Sequence, residues 1–354
     1  MERIPVHSLR IISWNLTLQC PLHCPHCYAN ARETEIPNIL STDEGFRVLE
    51  AIKEIGSPVV ILSGGEPMMR PDLYEIATYG TLLGLRMVLG TSGYLFEHDT
   101  PKKLKEAGIR SVAISIDSAD PAVHDQMRGN PGSWKKAIQA IQDCIREEIG
   151  VQINITVFTP DKSELDRVIT LGKELGVSQF QVFIPVPTGR STRENYERYG
   201  TYEGLLRHLI TISHGSDITL RPTCIPQFRR VADEMGVSHP HWGKGCIAGI
   251  SYCRIYADGK VTPCPYLPVI AGDLRLDSFS RIWAESDVFI ALRDSNRLSG
   301  KCGICEYKEN CGGCRARAFS RSENIPQTCG SLVKPCNIDG EICAEDPLCP
   351  YQPG

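Results

Sequence analysis

The chain has 354 residues, enough for roughly two domains of about 150 residues each, and 42% of its residues are hydrophobic while 23% are charged. That composition is typical of a folded globular protein and argues against extensive disorder. The 38 basic and 42 acidic side chains leave a net charge of −4, so no basic surplus exists for a nucleic acid, and we expect no nucleic-acid partner.

No part of the sequence is predicted to enter a membrane. The N-terminus lacks the basic flank and the long apolar core of a signal peptide. The longest apolar runs, such as residues 59–62, are the size of a strand and far shorter than the roughly 18 residues that a membrane helix needs. We therefore expect a cytoplasmic protein without a membrane partner.

The first half of the chain alternates strand-like and helix-like segments. Apolar runs predict six strands, at residues 9–16, 59–62, 86–89, 111–116, 152–158 and 179–184. Helical periodicity separates most of them, at residues 41–54, 72–83, 133–148 and 165–175, and Ser41 with Glu44 predicts a capping box. Six β/α units imply a parallel sheet, either an incomplete barrel or an open doubly wound sheet, with ligands at the carboxyl ends of the strands.

The β/α pattern ends near Pro185. Two bridging helices, one β-hairpin turning at Asp258-Gly259 and one short helix are predicted, at residues 202–213, 228–235, 254–263 and 278–286. The remaining sequence is turn-rich. We therefore divide the chain into a core at residues 1–200, bridging helices at 201–245 and a cysteine-rich domain at 246–354.

Cysteine is unusually abundant, with 16 residues in the chain. Three lie between Cys20 and Cys27, and eleven lie at or after Cys246. In a cytosolic chain of this size, clustered cysteines more often bind metal than form disulfides. The cysteine-rich domain has little predicted regular structure, so metal centres that hold it together explain it best.

The first cysteine cluster follows the first predicted strand. Cys20, Cys24 and Cys27 have the spacing C-x3-C-x2-C. Three thiolates on one loop can hold three irons of a cubane cluster and leave the fourth iron open. The alternative is a structural zinc site with His23 or His26 as the fourth ligand.

The second predicted strand ends in a Ser-Gly-Gly-Glu-Pro turn at residues 63–67. Gly64 and Gly65 allow the backbone to approach a ligand closely, and Glu66 supplies a carboxylate for a cationic group. As a bare motif this could be only a turn. Together with the cysteine motif that follows the preceding strand, the turn is a much more specific indication of a ligand site.

Together the two motifs resemble the radical S-adenosylmethionine (SAM) superfamily, whose fold is a partial (β/α)6 barrel of the TIM type. The resemblance implies that Cys20, Cys24 and Cys27 are catalytic and bind a 4Fe–4S cluster whose open iron chelates SAM. It also implies SAM contacts from Gly64, Gly65, Glu66, Ser115, Asp117 and Arg128, with Thr91 and Ser92 near the same site. Ser115, Asp117 and Arg128 could instead cap strand ends or form a surface ion pair.

The later cysteines resemble the SPASM extension of radical SAM enzymes, which carries auxiliary 4Fe–4S clusters. The resemblance implies two such clusters, one on Cys246, Cys253, Cys264 and Cys314 and the other on Cys302, Cys305, Cys311 and Cys349. An apparent insertion at residues 327–343 offers other candidates for the last ligand, namely Cys329, Cys336 and Cys343. The Cys302–Cys314 run could also be a zinc knuckle. Cys144 is expected in a helix core, and Cys224, between the domains, is a candidate for an active-site role.

Several stretches resemble the haem-biosynthesis branch of radical SAM/SPASM proteins, of the AhbC, AhbD and NirJ type: residues 12–17, 61–67, 187–190, 245–249, 263–268, 311–317 and 344–349. The resemblance implies an enzyme that uses a 5′-deoxyadenosyl radical to remove or oxidatively decarboxylate side chains of a sirohaem-derived tetrapyrrole. Trp14-Asn15 and Cys27-Tyr28 favour the AhbC/NirJ type over the AhbD decarboxylases.

The resemblance also implies partners. An external donor such as ferredoxin or flavodoxin would supply electrons. A tetrapyrrole carries several carboxylates, which arginine forks would bind. The candidates are Arg190, Arg193, Arg221, Arg229, Arg230, Arg315 and Arg317.

Two other functions remain open at this stage. Many SPASM proteins are maturases that modify ribosomal peptides, but the first strand begins near Leu9, which leaves no room for a leader-peptide-binding domain before it. A non-catalytic Fe–S electron carrier or a zinc-held binding module would need no SAM site. The Gly-Gly-Glu-Pro turn therefore argues against the electron carrier and against the zinc-held module.

Overall fold

Ten strands of this computed structural model form one sheet, and its central part is parallel. The structure describes residues 8–191, 202–238, 242–321, 332 and 342–354. The strands are β1 (Ile11–Thr17), β2 (Val59–Gly64), β3 (Arg86–Thr91), β4 (Ser111–Ser115), β5 (Gly150–Thr156), β6 (Gln179–Phe183), β7 (Thr219–Thr223), β8 (Tyr252–Ile255), β9 (Lys260–Thr262) and β10 (Gly272–Asp273).

Helices follow most of the strands. Those of the first half are α1 (Thr42–Ile55), α2 (Leu73–Leu82), α3 (Thr100–Glu106), α4 (Pro121–Arg128), α5 (Ser133–Arg146) and α6 (Lys162–Glu174). The later ones are α7 (Glu203–His214), α8 (Phe228–Glu234), α9 (Phe279–Glu285), α10 (Asp287–Arg293), α11 (Gly300–Ile304) and α12 (Arg315–Ser320). Single 3-10 turns lie at Pro67–Met69 and Ser295–Arg297.

The strand order decides between the two predicted architectures. Strands β1 to β7 lie side by side in sequence order, and each pair is parallel. A doubly wound sheet reverses its order at a switch point, which places helices on both faces. Here right-handed crossovers that never reverse place the helices on one face. The expected partial barrel is confirmed, and the doubly wound sheet is excluded.

The sheet extends beyond the six predicted strands at both edges. β7 continues it beside β6, within the segment where only bridging helices were expected. Pro222 argues against a strand in the sequence, but a strand at the edge of a sheet tolerates proline. At the other edge, β8 pairs in parallel with β1, and the predicted hairpin at Asp258-Gly259 turns into β9.

The two faces of the parallel sheet differ in polarity. The face against the helices is fully buried and apolar, as Leu62, Ile114 and Ile153 show. On the opposite face, Ser115, Asn154, Gln181 and Arg221 stand in register across β4 to β7. Those four side chains are partly buried or exposed. The inner face is therefore a polar wall rather than a packed core.

Local signals explain how the first helix begins. Ser41 Oγ accepts a hydrogen bond from Glu44 N at 3.3 Å, and Glu44 Oε2 accepts one from Ser41 N at 2.8 Å, so the predicted capping box is confirmed. Leu49 and Ile52 then bury one face of α1 against the sheet. In the described part of the chain, no helix is long and apolar enough to cross a membrane.

Candidate active site

The first three cysteines lie on the loop that leaves the carboxyl end of β1. They share a small buried group with Leu22 and Ala31. Leu22 N donates to Cys20 Sγ at 3.4 Å, and Ala31 N donates to Cys27 Sγ at the same distance. Main-chain hydrogen bonds to sulfur are a recurrent means of tuning Fe–S clusters.

Burial shapes the chemistry of these thiols. It raises the pKa of Cys20 to about 12, and the negative charges of Glu66, Cys24 and Cys27 add to the effect. Burial also raises the pKa of Cys24 above its ordinary value, with the guanidinium of Arg128 opposing it. Thiols in such surroundings stay protonated until a metal ion binds and removes the proton. Cys20 and Cys24 therefore suit a buried metal cluster better than a free thiolate nucleophile.

The two histidines of the loop have other contacts. His23 is exposed, and its Nε2 lies 3.5 Å from Glu33 Oε1. His26 packs edge-on against Phe158 with ring centroids 5.3 Å apart. Among the described residues, no group of three or more His, Cys, Asp or Glu side chains is close enough to hold a single ion. A cubane makes no such demand, because each thiolate binds a different iron.

The Gly-Gly-Glu turn brings the ends of β1 and β2 into backbone contact. Gly65 N donates to Thr17 O at 2.8 Å, and Glu66 N donates to Gln19 O at 2.7 Å. A Cβ on Gly65 would lie 2.2 Å from Gln19 O, and a Cβ on Gly64 would lie equally close to Thr17 O. Both positions must be glycine because no side chain fits between the two strand ends.

Glu66 is fully buried and joins the ends of β2 and β3. Its carboxylate accepts hydrogen bonds from Thr91 Oγ1 at 2.7 Å, Ser92 N at 2.9 Å and Ser92 Oγ at 2.5 Å. Met68 N donates to the same carboxylate at 3.3 Å. Thr91 and Ser92 thus lie where the sequence placed them, and their immediate contact is the Glu66 carboxylate.

Asp117 and Arg128 form a buried ion pair rather than a surface one. Arg128 Nη2 lies 2.6 Å from Asp117 Oδ2, and Thr156 N donates to Asp117 Oδ1 at 3.0 Å. Burial acts to raise the pKa of Asp117, but the charge of Arg128, the two neighbouring histidines and the hydrogen bond from Thr156 N together lower it below its ordinary value. The carbonyl of Arg128 accepts from His23 N at 3.1 Å, which ties the pair to the cysteine loop. Ser115 lies at the end of β4 on the inner face.

Arg190 holds the cysteine loop from the opposite side. Its Nε donates to Cys24 O at 2.8 Å, its main-chain N donates to Cys27 O at 3.0 Å, and its Nη1 donates to Ala31 O. Gly189 has φ 67°, and a Cβ there would lie 2.2 Å from Cys27 O. These three donors are committed to the loop, so Arg190 fastens the cysteines, while its buried Nη2 has no hydrogen-bond partner among the described residues.

Three of the other expected carboxylate-binding arginines are also committed within the protein. Arg230 pairs with Glu203 and Glu234. Arg317 is fully buried, and its Nε and Nη2 donate to Asp346 at 3.0 and 2.9 Å. Arg315 donates to the carbonyls of Ile342 and Ala344. Arg193 lies outside the described residues, and Arg221 is exposed on the inner face.

Four cysteines line one cavity in the cysteine-rich domain: Cys302, Cys305, Cys311 and Cys349. Asp346 N and Arg315 Nη2 lie 3.4 and 3.5 Å from Cys302 Sγ. Cys343 lies elsewhere, fully buried in an apolar group with Leu267 and Phe319. Cys329 and Cys336 lie outside the described residues.

The cysteines of the other expected cluster are divided. Cys264 and Cys314 belong to one apolar group, and their thiols and that of Cys246 influence one another electrostatically. Cys253 is buried in the main core, which packs against the helices. The fully satisfied Asp346 carboxylate, which no sequence signal singled out, links Cys314 N at 2.7 Å with Gln227 Nε2 at 2.8 Å.

Comparisons with known proteins decide the family. Residues 14–172 match the model of the radical SAM superfamily, and residues 246–315 match an iron-sulfur cluster-binding domain. An AdoMet-dependent heme synthase of Methanosarcina barkeri (strain Fusaro / DSM 804) is 38% identical over 98% of this chain and 97% of its own length. The chain belongs to the radical SAM superfamily, in the branch of these heme synthases.

This radical SAM enzyme therefore uses 4Fe–4S clusters and SAM as cofactors, as expected. The Fe-coproporphyrin III synthase of the same organism is 34% identical over 98% of this chain and 91% of its own length. The mycofactocin maturase MftC of Mycobacterium tuberculosis (strain ATCC 25618 / H37Rv) is 27% identical over 87% of this chain and 78% of its own length. Two heme synthases, at 38% and 35% identity, are more similar to this chain than either, so the comparisons favour the heme synthases over the AhbC/NirJ type that the sequence analysis preferred.

A solved structure supports the fold alone. Streptococcus suis SuiB bound to S-adenosylmethionine superposes with a TM-score of 0.70 at 16% identity, over 95% of this chain and 77% of that one. The haem-biosynthesis branch predicted from the sequence is confirmed by the heme synthases, and the peptide maturases are more distant.

Proposed function

We propose that this enzyme forms haem by oxidative decarboxylation of propionate side chains on an iron-coproporphyrin-type tetrapyrrole. The near-full-length similarity to AdoMet-dependent heme synthases carries the proposal. In this proposal Cys20, Cys24 and Cys27 hold the cluster that binds and cleaves SAM. The arrangement of their loop supports it, because one loop at the carboxyl edge of the sheet presents three buried thiols.

The SAM-binding residues act mainly through main-chain groups and buried charge in this proposal. The carboxylate of Glu66 already accepts four hydrogen bonds from its own chain, so Gly64, Gly65 and Glu66 offer their backbone to the SAM amino group. Arg128 keeps its charge beside Cys24 through its pair with Asp117. That charge favours both a thiolate and the carboxylate of SAM. Ser115 supplies a hydroxyl at the end of β4.

The polar inner wall is proposed to face the tetrapyrrole. Gln152 Nε2 donates to Asn154 Oδ1 at 2.7 Å and to Gln181 Oε1 at 2.8 Å, so these amides are fixed in one orientation. Arg221 stands next to Gln181 in register and is exposed. Its planar guanidinium suits a propionate carboxylate, which it can bind in a bidentate manner. Arg221 is thus our candidate for the anchor of a propionate that is retained.

A cluster on Cys20, Cys24 and Cys27 with bound SAM would supply a 5′-deoxyadenosyl radical that can take one hydrogen atom from a propionate side chain. The side chain then loses CO2 and one electron and becomes a vinyl group. A cluster held by the cysteines of residues 246–354 would supply an acceptor for that electron, and a ferredoxin- or flavodoxin-type partner would supply the electron that SAM cleavage needs. The protein's part is to orient the propionate and to keep competing reactants away.

The test is product identification under anaerobic conditions. Reduced, reconstituted enzyme is mixed with SAM and, separately, with iron-coproporphyrin III, didecarboxysirohaem and a generic peptide. We expect mass loss of CO2 and two hydrogens per propionate from iron-coproporphyrin III, with a matching yield of 5′-deoxyadenosine. Turnover of didecarboxysirohaem alone would assign a different tetrapyrrole reaction. Turnover of the peptide alone would support a maturase and overturn the proposal.

Arg221→Gln sharpens the substrate assignment. It should raise the KM for iron-coproporphyrin III at least several-fold while SAM binding is unchanged. Arg167→Gln is the matched control, because Arg167 is an exposed arginine on the outer helix α6 that pairs with Glu164. Equal KM values for the two variants would remove Arg221 from the substrate site.

A further inference from the structure

The four cysteines expected to hold the first auxiliary cluster do not lie on one side of the sheet. Successive residues of a strand point to opposite faces. In β8, Tyr252 donates from its hydroxyl to Ser13 Oγ at 2.6 Å, and Arg254 Nη1 donates to Pro265 O at 3.0 Å. Both side chains therefore lie on the face where the Cys264 segment packs. Cys253 stands between them and points the other way.

The surroundings of Cys253 agree with that direction. It pairs in register with Ile12, it is fully buried, and it belongs to the same core as the helix-facing side chains of the sheet. Burial raises the pKa of its thiol, and the guanidinium of Arg293 opposes that rise. The sheet separates it from Cys264 and Cys314.

Cys224 lies on the side of the sheet where Cys264 and Cys314 lie, opposite to Cys253. It follows the last residue of β7 directly, and it packs against the apolar group that contains Cys314, with Cys264 and Tyr266 beside it. Arg317 Nη1 donates to Cys224 O, and Arg317 belongs to the helix that Cys314 caps. Burial raises the pKa of the Cys224 thiol well above its usual value, and the thiols of Cys314, Cys264 and Cys246 raise it further.

The backbone of Cys224 also has an unusual conformation. Its φ is 60°, in the left-handed region that few residues other than glycine adopt. Such a conformation is strained and persists where surrounding structure enforces it, most often at functional sites. A loop that turns a thiol toward three others is a reason for that strain.

We propose that Cys224, and not Cys253, is the fourth thiolate of the first auxiliary cluster, together with Cys246, Cys264 and Cys314. The proposal rests on the presence of that cluster, which the iron-sulfur domain of the chain implies. Cys246 is placed for it by its main-chain N, which donates to Cys311 O at 3.1 Å near Cys314. Cys253 is then a small core residue.

The assignment has a functional consequence. A cluster held by four thiolates has no open iron, so its task is electron transfer and not substrate binding. Its Cys224 ligand lies at the carboxyl end of β7, adjacent to Thr223 on the polar inner wall. The electron that leaves the substrate would thus pass directly from the inner wall to the cysteine-rich domain.

The test measures iron and sulfide per chain after anaerobic reconstitution, with Mössbauer and EPR spectra of each protein. The variants are Cys224→Ala, Cys224→Asn, Cys253→Ala and Cys264→Ala. Asparagine is included because it adopts a positive φ more readily than alanine. Wild-type protein should hold about twelve irons, in three 4Fe–4S clusters. Both Cys224 variants and Cys264→Ala should lose one cluster or yield a three-iron signal, while Cys253→Ala should match wild type.

Two results would overturn the assignment. One is a folded Cys253→Ala protein that loses a cluster, which stands as a test even if the Cys224 variants fail to fold. The other is a Cys224 variant with the full iron content and wild-type spectra. If Cys264→Ala also keeps all its iron, the cluster itself is absent from this site, and the failure lies in the underlying cofactor placement. Circular dichroism and gel filtration establish that each variant is folded.

Discussion

Residues 8–191 and residues 246–354 both carry cysteine clusters, but they present them in different ways. In the first region a large apolar core fixes a parallel sheet, and three cysteines lie on one loop at the edge of that sheet. In the second region the helices have only five to seven residues, and the cysteines come from segments far apart in sequence. The first region is a scaffold that carries a metal site. The second uses its metal sites as part of the scaffold.

Removal of iron should separate the two regions most strongly. Chelation of the reduced protein should leave the amides of β1 to β6 protected from hydrogen exchange, because their core contains no cysteine cluster. Amides of residues 300–320 and 342–354 should lose protection, since their apolar group is small and contains a cysteine that is expected to bind a cluster. Hydrogen exchange with mass spectrometry measures both. Equal protection of the two regions after iron removal would contradict the comparison.

The buried pair of Asp346 and Arg317 should be the most costly single contact to break within the second region. Asp346→Asn removes the carboxylate that pairs with the buried guanidinium of Arg317, so unfolding should become easier by about 3–5 kcal/mol. Denaturant unfolding of the holoprotein measures this. Asp99→Asn, which breaks an exposed pair with Lys103 in the first region, is the control and should change little.

A pH dependence that comes from a buried histidine should belong to the first region, because residues 246–354 contain no histidine. Burial and the charge of Arg128 lower the pKa of His124 to about 4, while an unfolded histidine titrates near 6.5. The unfolded state binds more protons between these values, so this stabilisation is complete above about pH 6.5 and is lost as the pH falls toward 4. The loss amounts to about 3 kcal/mol.

His124→Gln tests that pH dependence. Gln can still accept the hydrogen bond that Asp117 N donates to His124 Nδ1 at 3.2 Å, but it cannot titrate. The stability of the variant should vary less between pH 6.5 and 4. Residues 246–354 contain no histidine, so their amide protection should show no such change in this interval. An unchanged slope in the variant would remove His124 as the cause.

Helix caps give the smallest contrast. Ser41 and Glu44 form both bonds of a capping box, whereas the cap of α9 has only the hydrogen bond that Arg281 N donates to Ser278 Oγ at 3.4 Å. Ser41→Ala should therefore cost about 1 kcal/mol and Ser278→Ala less. Thermal unfolding of the two variants measures the difference. The reverse order would show that α9 depends on its cap more than α1 does.

What the sequence could predict were the features that depend on local signals. The capping box at Ser41, the hairpin at Asp258-Gly259 and the cysteine loop after β1 all follow from neighbouring residues. β7 could not be predicted, because it is short, contains Pro222 and is stabilised by its neighbour β6.

The roles of single residues in the sites depend on contacts between distant segments. Arg190 donates hydrogen bonds to a loop more than 150 positions away in the sequence, and the Asp346 carboxylate accepts hydrogen bonds from Gln227 and Arg317. No spacing of residues in the sequence predicts either contact. Cys253 shows the same limit, since spacing does not reveal which face of a strand a residue occupies. Once residues 252–255 are known to form a strand, the alternation of side chains sets the face on which Cys253 lies.

The most direct test of the catalytic centre is a variant with Cys20, Cys24 and Cys27 all changed to alanine. Anaerobically reconstituted wild-type protein and variant are compared for iron content and for 5′-deoxyadenosine formed from SAM. The account predicts that the variant lacks one cluster, about four irons, and forms no 5′-deoxyadenosine while the auxiliary cluster signals persist. Continued 5′-deoxyadenosine formation by the variant would contradict it.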